Sequence, residues 1–123
     1  MKLHSDTHSG HFAVTAYDKG YVQIGARKLT RSVLLMPDKL DPAWGPESSE
    51  DLAGEHLAPL AALSVDVLLL GTGSRQRFPR PELLRPLIES GRSIEVMDTG
   101  AACRTYNILV AEGRTVAAAL IVE

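Results

Sequence analysis

Four apolar residues in a row, Val67 to Leu70, preceded by Asp66 and closed by Gly71, Thr72 and Gly73, mark the stretch around which the rest of the chain is arranged. Alternation of apolar and polar positions vanishes when a strand meets water on neither face, so this run predicts a strand covered on both sides. Ser32 to Met36 (SVLLM), stopped by Pro37, and Thr115 to Val122 (TVAAALIV) repeat that signature, and Ser93 to Met97 (SIEVM) is a shorter relative. Between them the spacing becomes helical. Ala53, Leu57, Leu60 and Ala61 form one stripe, Leu83, Leu84, Leu87 and Ile88 a second, and Ala102, Tyr106, Leu109 and Val110 a third. Upstream, Phe12, Val14 and Ala16 alternate with Ala13, Thr15 and Tyr17 before Asp18, Lys19 and Gly20 interrupt and Tyr21, Val22 and Ile24 resume. That is a hairpin pattern, with Gly20 supplying the positive φ that a short loop demands.

Start and stop signals sharpen the boundaries. Ser48 to Asp51 fits the [ST]xx[DE] cap and opens the first helix, which Gly54 and Pro59 weaken. Pro81 suits the first helical position and Gly91 the stop, while Pro86 removes one hydrogen bond within that helix and predicts a kink. Asp98 and Thr99 are N-cap candidates for a helix over 100–112, ended by Gly113. The segment from Pro37 to Glu47, with three prolines and a glycine, reads as a loop pinned to the core edge by Trp44. Strands alternating with helices predict a single α/β domain over residues 1–123.

Composition narrows the function classes. The 123 residues are 45% apolar and 23% charged, ordinary values for a globular domain, and 13 Lys and Arg against 15 Asp and Glu leave a net charge of −2. A net negative chain is not built to grip a polyphosphate backbone, so nucleic acid is not an expected partner. The opening MKLHSDTHSG lacks the apolar core of a signal peptide, and no apolar run is long enough to span a bilayer, so a cytoplasmic location without membrane insertion is expected. One cysteine, Cys103, cannot form an internal disulfide. It borders an apolar stripe and reads as a buried small hydrophobe rather than a nucleophile. His4, Asp6, His8 and His11 match no zinc spacing and read as a solvated lead-in, so no metal is assigned. His56 reads as an exposed or edge residue, since nothing nearby in sequence orients it as a base.

A candidate site follows from topology. Right-handed crossovers place the C-terminal ends of parallel strands on one edge, and both GTG and Asp98 lie at such ends. If their strands are neighbours, Gly71, Thr72, Gly73, Asp98 and Thr99 line one crevice, with Arg75, Arg77, Arg80 and Arg104 as potential cationic donors to a carboxylate or phosphate. The opposing reading is structural: GTG matches neither GxGxxG nor GxxxxGK[ST], loop arginines are usually solvated, and Asp98 caps a helix whether or not a ligand is present. Neither GxSxG nor HExxH occurs. No catalytic residue and no cofactor is assigned.

LLLGTGSRQRFP (Leu68 to Pro79), VMDTGAACRTYNIL (Val96 to Leu109) and EGRTVAAALI (Glu112 to Ile121), with PDKLDPAW as a looser match, resemble the Mth938-like domain family across nearly the whole chain from Phe12. The resemblance implies a three-layer α/β fold, with a mixed central sheet flanked by helices and a smaller antiparallel sheet from the N-terminal part. Eukaryotic members include an assembly factor for mitochondrial respiratory complex I and a protein associated with adipogenesis, which implies a non-catalytic interaction or assembly module with an unidentified protein partner. The family brings no established catalytic residues. It places Gly71, Thr72, Gly73, Asp98, Thr99, Arg104, Tyr106 and Asn107 in its signature blocks, and with Arg75 these form the hypothetical ligand set for the alternative function, a small anionic metabolite binder or enzyme.

Overall fold

The computed structural model describes residues 11–123. Two sheets organise it. A small antiparallel sheet contains β1 (Val14–Asp18), β2 (Tyr21–Ile24) and β3 (Arg27–Leu29) in that order. A five-stranded mixed sheet has the order β5-β4-β8-β6-β7, with β4 Val33–Met36, β5 Lys39–Asp41, β6 Val67–Gly71, β7 Glu95–Met97 and β8 Val116–Leu120. The run β8-β6-β7 is parallel, whereas β4 is antiparallel to both β5 and β8. SVLLM, VDVLLL, SIEVM and TVAAALIV therefore share one sheet, as their apolar character predicts.

The middle strands are covered on both faces, and their side chains divide two cores. From β8, Val116, Ala118 and Leu120 point to one core, with Leu69, Val33 and Leu35. That core is closed by α3 (Thr99–Ala111), through Ala102, Cys103 and Tyr106, and by Val14, Val22 and Ile24 of the small sheet. Ala117, Ala119 and Ile121 point to the other core, with Leu68 and Leu70. Its cover is Leu52, Leu57 of α1 (Gly54–Leu57), Leu60, and Leu87 of α2 (Pro81–Glu89). This is a three-layer α/β arrangement. Among the described residues no helix is long and apolar enough to cross a membrane.

Three local expectations are corrected. The segment after Pro37 is not wholly loop: Lys39–Asp41 pairs with β4, Met36 facing Lys39 across a two-residue turn of Pro37 and Asp38. The helix expected from Ser48 breaks into a 3₁₀ turn at Ser49–Asp51, the single α-turn α1, and a second 3₁₀ turn at Ala58–Ala62 with Pro59 in its first turn. Ser48 makes no capping bond, and Gly54 and Pro59 account for the breaks, being the poorest helix formers. His56, half-buried, is held more firmly than expected: its Nδ1 accepts from the Ala53 amide at 2.9 Å, and the Trp44 indole donates to its carbonyl at 3.1 Å. Trp44 itself packs on the second core, as a pinned loop requires.

Gly91 and Gly113, each two residues past the last helical residue, close off α2 and α3. In both, the next residue's amide returns to the third-last helical carbonyl, Arg92 to Leu87 at 2.8 Å and Arg114 to Leu109 at 2.9 Å. Arg92 then reaches across to the carbonyls of Leu63 and Val65, both at 2.7 Å, clamping the approach to β6. Nothing local in the sequence signals that clamp.

Candidate functional site

β6 and β7 are neighbours, and Gly71 lies opposite Met97, so GTG and Asp98 do meet at one sheet edge. The corner is held by side-chain hydroxyls. Thr99 Oγ1 accepts from the Gly73 amide at 2.8 Å and donates to the Ile121 carbonyl at 2.7 Å, while the Thr99 amide donates to Gly73 O at 2.9 Å. Thr72 Oγ1 donates towards the carbonyls of Arg75 (2.7 Å) and Met97 (3.1 Å) and accepts from the Arg77 amide at 3.1 Å. Ser49 Oγ donates to the Thr72 carbonyl. Both threonines are buried. Asp98 Oδ1 accepts from the Ala101 amide at 2.8 Å and caps α3.

The glycines have steric reasons. A Cβ on Gly71 would lie 2.9 Å from both Cα and Oγ1 of Thr99 and 3.2 Å from Ala102 Cβ, so the glycine is what lets α3 pack on β6. Gly73 has φ +98°, and the Glu123 carboxylate packs where its Cβ would be. That carboxylate also accepts from the Ser49 amide at 3.3 Å.

A crevice of about 260 Å³ opens beside this corner. Gly73, Asp98, Thr99 and Arg104 line it, with the β1–β2 hairpin tip from Tyr17 to Tyr21 as the opposite wall. Gly71 and Thr72, expected in the crevice, lie outside its lining because they are packed into the sheet edge. Arg75, Arg77 and Arg80 do not reach it, and Arg104 is already engaged, donating to Tyr17 Oη and lying 5.7 Å from that ring's centre. Asp18, Asp98 and Glu123 place three carboxylates on the walls against Lys19 and Arg104.

Tyr106 and Asn107 lie outside the crevice lining and bind the N-terminal strand to α3. Tyr106 Oη donates to Phe12 O at 2.9 Å, and burial pushes its phenol pKa well above the ordinary value, with Asp38 adding to the rise. Asn107 treats Val14 as a strand partner would, accepting its amide at 2.9 Å and donating to its carbonyl at 2.7 Å. Cys103 is fully buried, and desolvation pushes its thiol up to about 12, with Arg104 opposing and Asp98 adding to the shift. Such a thiol is not a nucleophile at neutral pH. His4, Asp6 and His8 lie outside the described residues; His11 is exposed.

A second depression, about 360 Å³, lies beside Thr72, between the 3₁₀ turn at Ser49–Asp51 and the start of α2. Arg77, Phe78, Arg80 and Leu83 line it. Arg77 and Arg80, expected at the first crevice, line this one instead, together with Phe78, whose signal in the sequence is an aromatic between two arginines on a loop.

Among curated relatives, the NADH dehydrogenase (ubiquinone) 1 alpha subcomplex assembly factor 3 of Xenopus tropicalis is 34% identical over 122 residues, covering 98% of this chain and 66% of its own length. The 13 kDa major membrane protein of Francisella tularensis is 33% identical over 89 residues, 72% of this chain and 68% of that protein. The chain spans between about half and two thirds of the length of the curated assembly factors it matches. In three dimensions it is similar to a crystal structure from Bordetella parapertussis, with a TM-score of 0.83 at 38% identity, covering 92% of this chain and 97% of that one. It is also similar to a solution structure from Bordetella pertussis described as a Mth938-like domain, with a TM-score of 0.74 at 35% identity, covering 98% and 92%. A profile of the family described as a protein of unknown function (DUF498/DUF598) matches residues 14–121, from the first strand to just past the last. The chain belongs to that family and has the Mth938-like fold.

Proposed function

We propose that residues 1–123 form one cytoplasmic domain that acts as a non-catalytic interaction module, binding a protein partner during assembly of a larger complex. The observation that carries this reading is the fate of the polar groups in the signature blocks. Thr72, Thr99, Tyr106, Asn107 and Asp98 all hold backbone of this same chain, so each of them has a structural task. The assembly-factor relatives support it. Their particular complex is not carried over, because the chain spans only part of their length. A small anionic metabolite in the Gly73–Asp98 crevice is the weaker alternative, since it would face the carboxylates of Asp18, Asp98 and Glu123 with Arg104 already bound to Tyr17.

The test is co-purification of the tagged chain, expressed at native level, beside a thermal-shift screen of small anions and metabolites. A stoichiometric partner lost on a surface substitution supports the module. A saturable shift from one metabolite, abolished by Arg104→Ala and with no protein recovered, overturns it. Fractionation of the same cells checks the location.

A further inference from the structure

Among the described residues, Nε of Arg77 is the one buried side-chain nitrogen or oxygen that lacks a hydrogen-bond partner. A buried N–H without an acceptor is costly, and more so on a charged group. Arg77 lines the depression beside Thr72, so its guanidinium borders the space that an arriving group would occupy. The walls say what else the arriving group carries. Phe78 is 73% exposed at the rim, and Leu52, Pro79 and Leu83 line the depression with it. Arg80 adds a second cation at the point where α2 begins, and α2 has no side-chain cap there, so its positive end is of the same sign. Glu50 is the single carboxylate among the lining residues.

We propose that this depression docks a segment of the partner protein in which an Asp or Glu lies beside a large apolar residue, the carboxylate accepting from Arg77 and the apolar side chain covering Phe78 and Leu83. This rests on the interaction-module reading and gives it a surface. A free phosphate or small metabolite fits worse, because it satisfies the guanidinium and leaves Phe78 in water. The charge balance of two arginines against one carboxylate selects an acidic segment over a basic one. An arginine fork suits a carboxylate, and an aromatic next to it is the usual composition of an interface centre.

The test places a photo-crosslinking benzoylphenylalanine at Phe78 in the full chain in cells, with the same group at Ile108 and at Tyr17 as controls on other faces. The expected result is a crosslink from position 78 to one segment containing Asp or Glu next to an apolar residue. A synthetic peptide of that segment should bind the purified chain at least about tenfold more weakly to Arg77→Gln or to Phe78→Ser than to the parent. Phe78→Ser alters an exposed side chain, so it keeps the test valid if Arg77→Gln fails to fold. Crosslinks from 108 or 17 but not 78 overturn the docking site and leave the module reading standing, whereas no crosslink from any position overturns both. A basic or uncharged segment at 78, or a peptide whose affinity ignores both substitutions, also overturns the proposal.

Discussion

Thr99→Val replaces one hydroxyl by a slightly larger methyl on the same branched frame, so its main effect is the loss of that oxygen's hydrogen bonds. In the parent, Oγ1 accepts from the Gly73 amide at 2.8 Å and donates to the Ile121 carbonyl at 2.7 Å, at a position only 8% exposed. Each bond contributes about 1 kcal/mol net, and stranding a buried partner costs about 1–3 kcal/mol. The Gly73 amide loses its acceptor and the Ile121 carbonyl loses this donor, so a total of about 2–4 kcal/mol is expected. That is a large share of the roughly 5–15 kcal/mol that holds a domain together. For a chain of this length it corresponds to a fall in Tm of about 6–20 °C. Urea denaturation followed by circular dichroism should show a lower midpoint with an unchanged m-value, which separates lost stability from altered compactness. Thr99→Ser keeps the hydroxyl and should recover most of the loss. A Thr99→Val cost below about 0.5 kcal/mol, or a serine variant no better than valine, would refute the account in which Thr99 is the fastener of the sheet edge.

Other expectations are shorter. Gly71→Ala puts a methyl 2.9 Å from the Thr99 backbone, where no flexible side chain can give way, and should cost about 1–3 kcal/mol by thermal melting; a neutral result would mean that α3 shifts freely. Asn107→Ala strips both Val14 backbone groups of their partner and should cost about 1–3 kcal/mol, with hydrogen exchange accelerating in β1 and hardly at all in β6. Cys103→Ala should cost only about 1 kcal/mol at pH 7, and a thiol reagent should label the native parent no faster than it unfolds. The pH dependence has a definite sign. An ordinary thiol titrates near 9 and this one is held up at about 12, so between those values the unfolded chain loses its proton first. The contribution of this thiol is constant below pH 9 and falls above it, by up to about 1.4 kcal/mol per pH unit. The slope between pH 8 and 10 should shrink in Cys103→Ala to the smaller part that the Tyr106 phenol, also held up by burial, contributes near pH 10.

Much of the fold was legible because the strands that matter are buried on both faces and carry uninterrupted apolar runs. SVLLM and VDVLLL need no partner in view to be recognised. Lys39–Asp41 was not legible, since a three-residue edge strand holding two charges and following a proline has too few positions to show alternation. The 3₁₀ turn at Pro59 escaped for a related reason: the apolar stripe persists through it while the hydrogen-bond pattern changes. At the site, local spacing correctly brought GTG to Asp98 and correctly buried Cys103. It did not reveal that Tyr106 and Asn107 bind Phe12 and Val14, because those partners are more than ninety residues away and no local pattern encodes them. Arg77 stands out in the sequence for its charge, but the crevice it lines depends on the turn that Thr72 Oγ1 closes by accepting from the Arg77 amide, which no local spacing encodes.

The central position of β8 has a consequence for the order of events during synthesis. The sheet reads β5-β4-β8-β6-β7, so its middle strand emerges from the ribosome after the other four. Until residues 116–120 are clear of the exit tunnel, the β4–β5 hairpin and the β6–β7 pair are separate fragments, each with a sticky unpaired edge. The nascent chain is thus open to off-pathway association until that strand arrives, and closure of the sheet is a single event that inserts three consecutive alanines between the waiting halves.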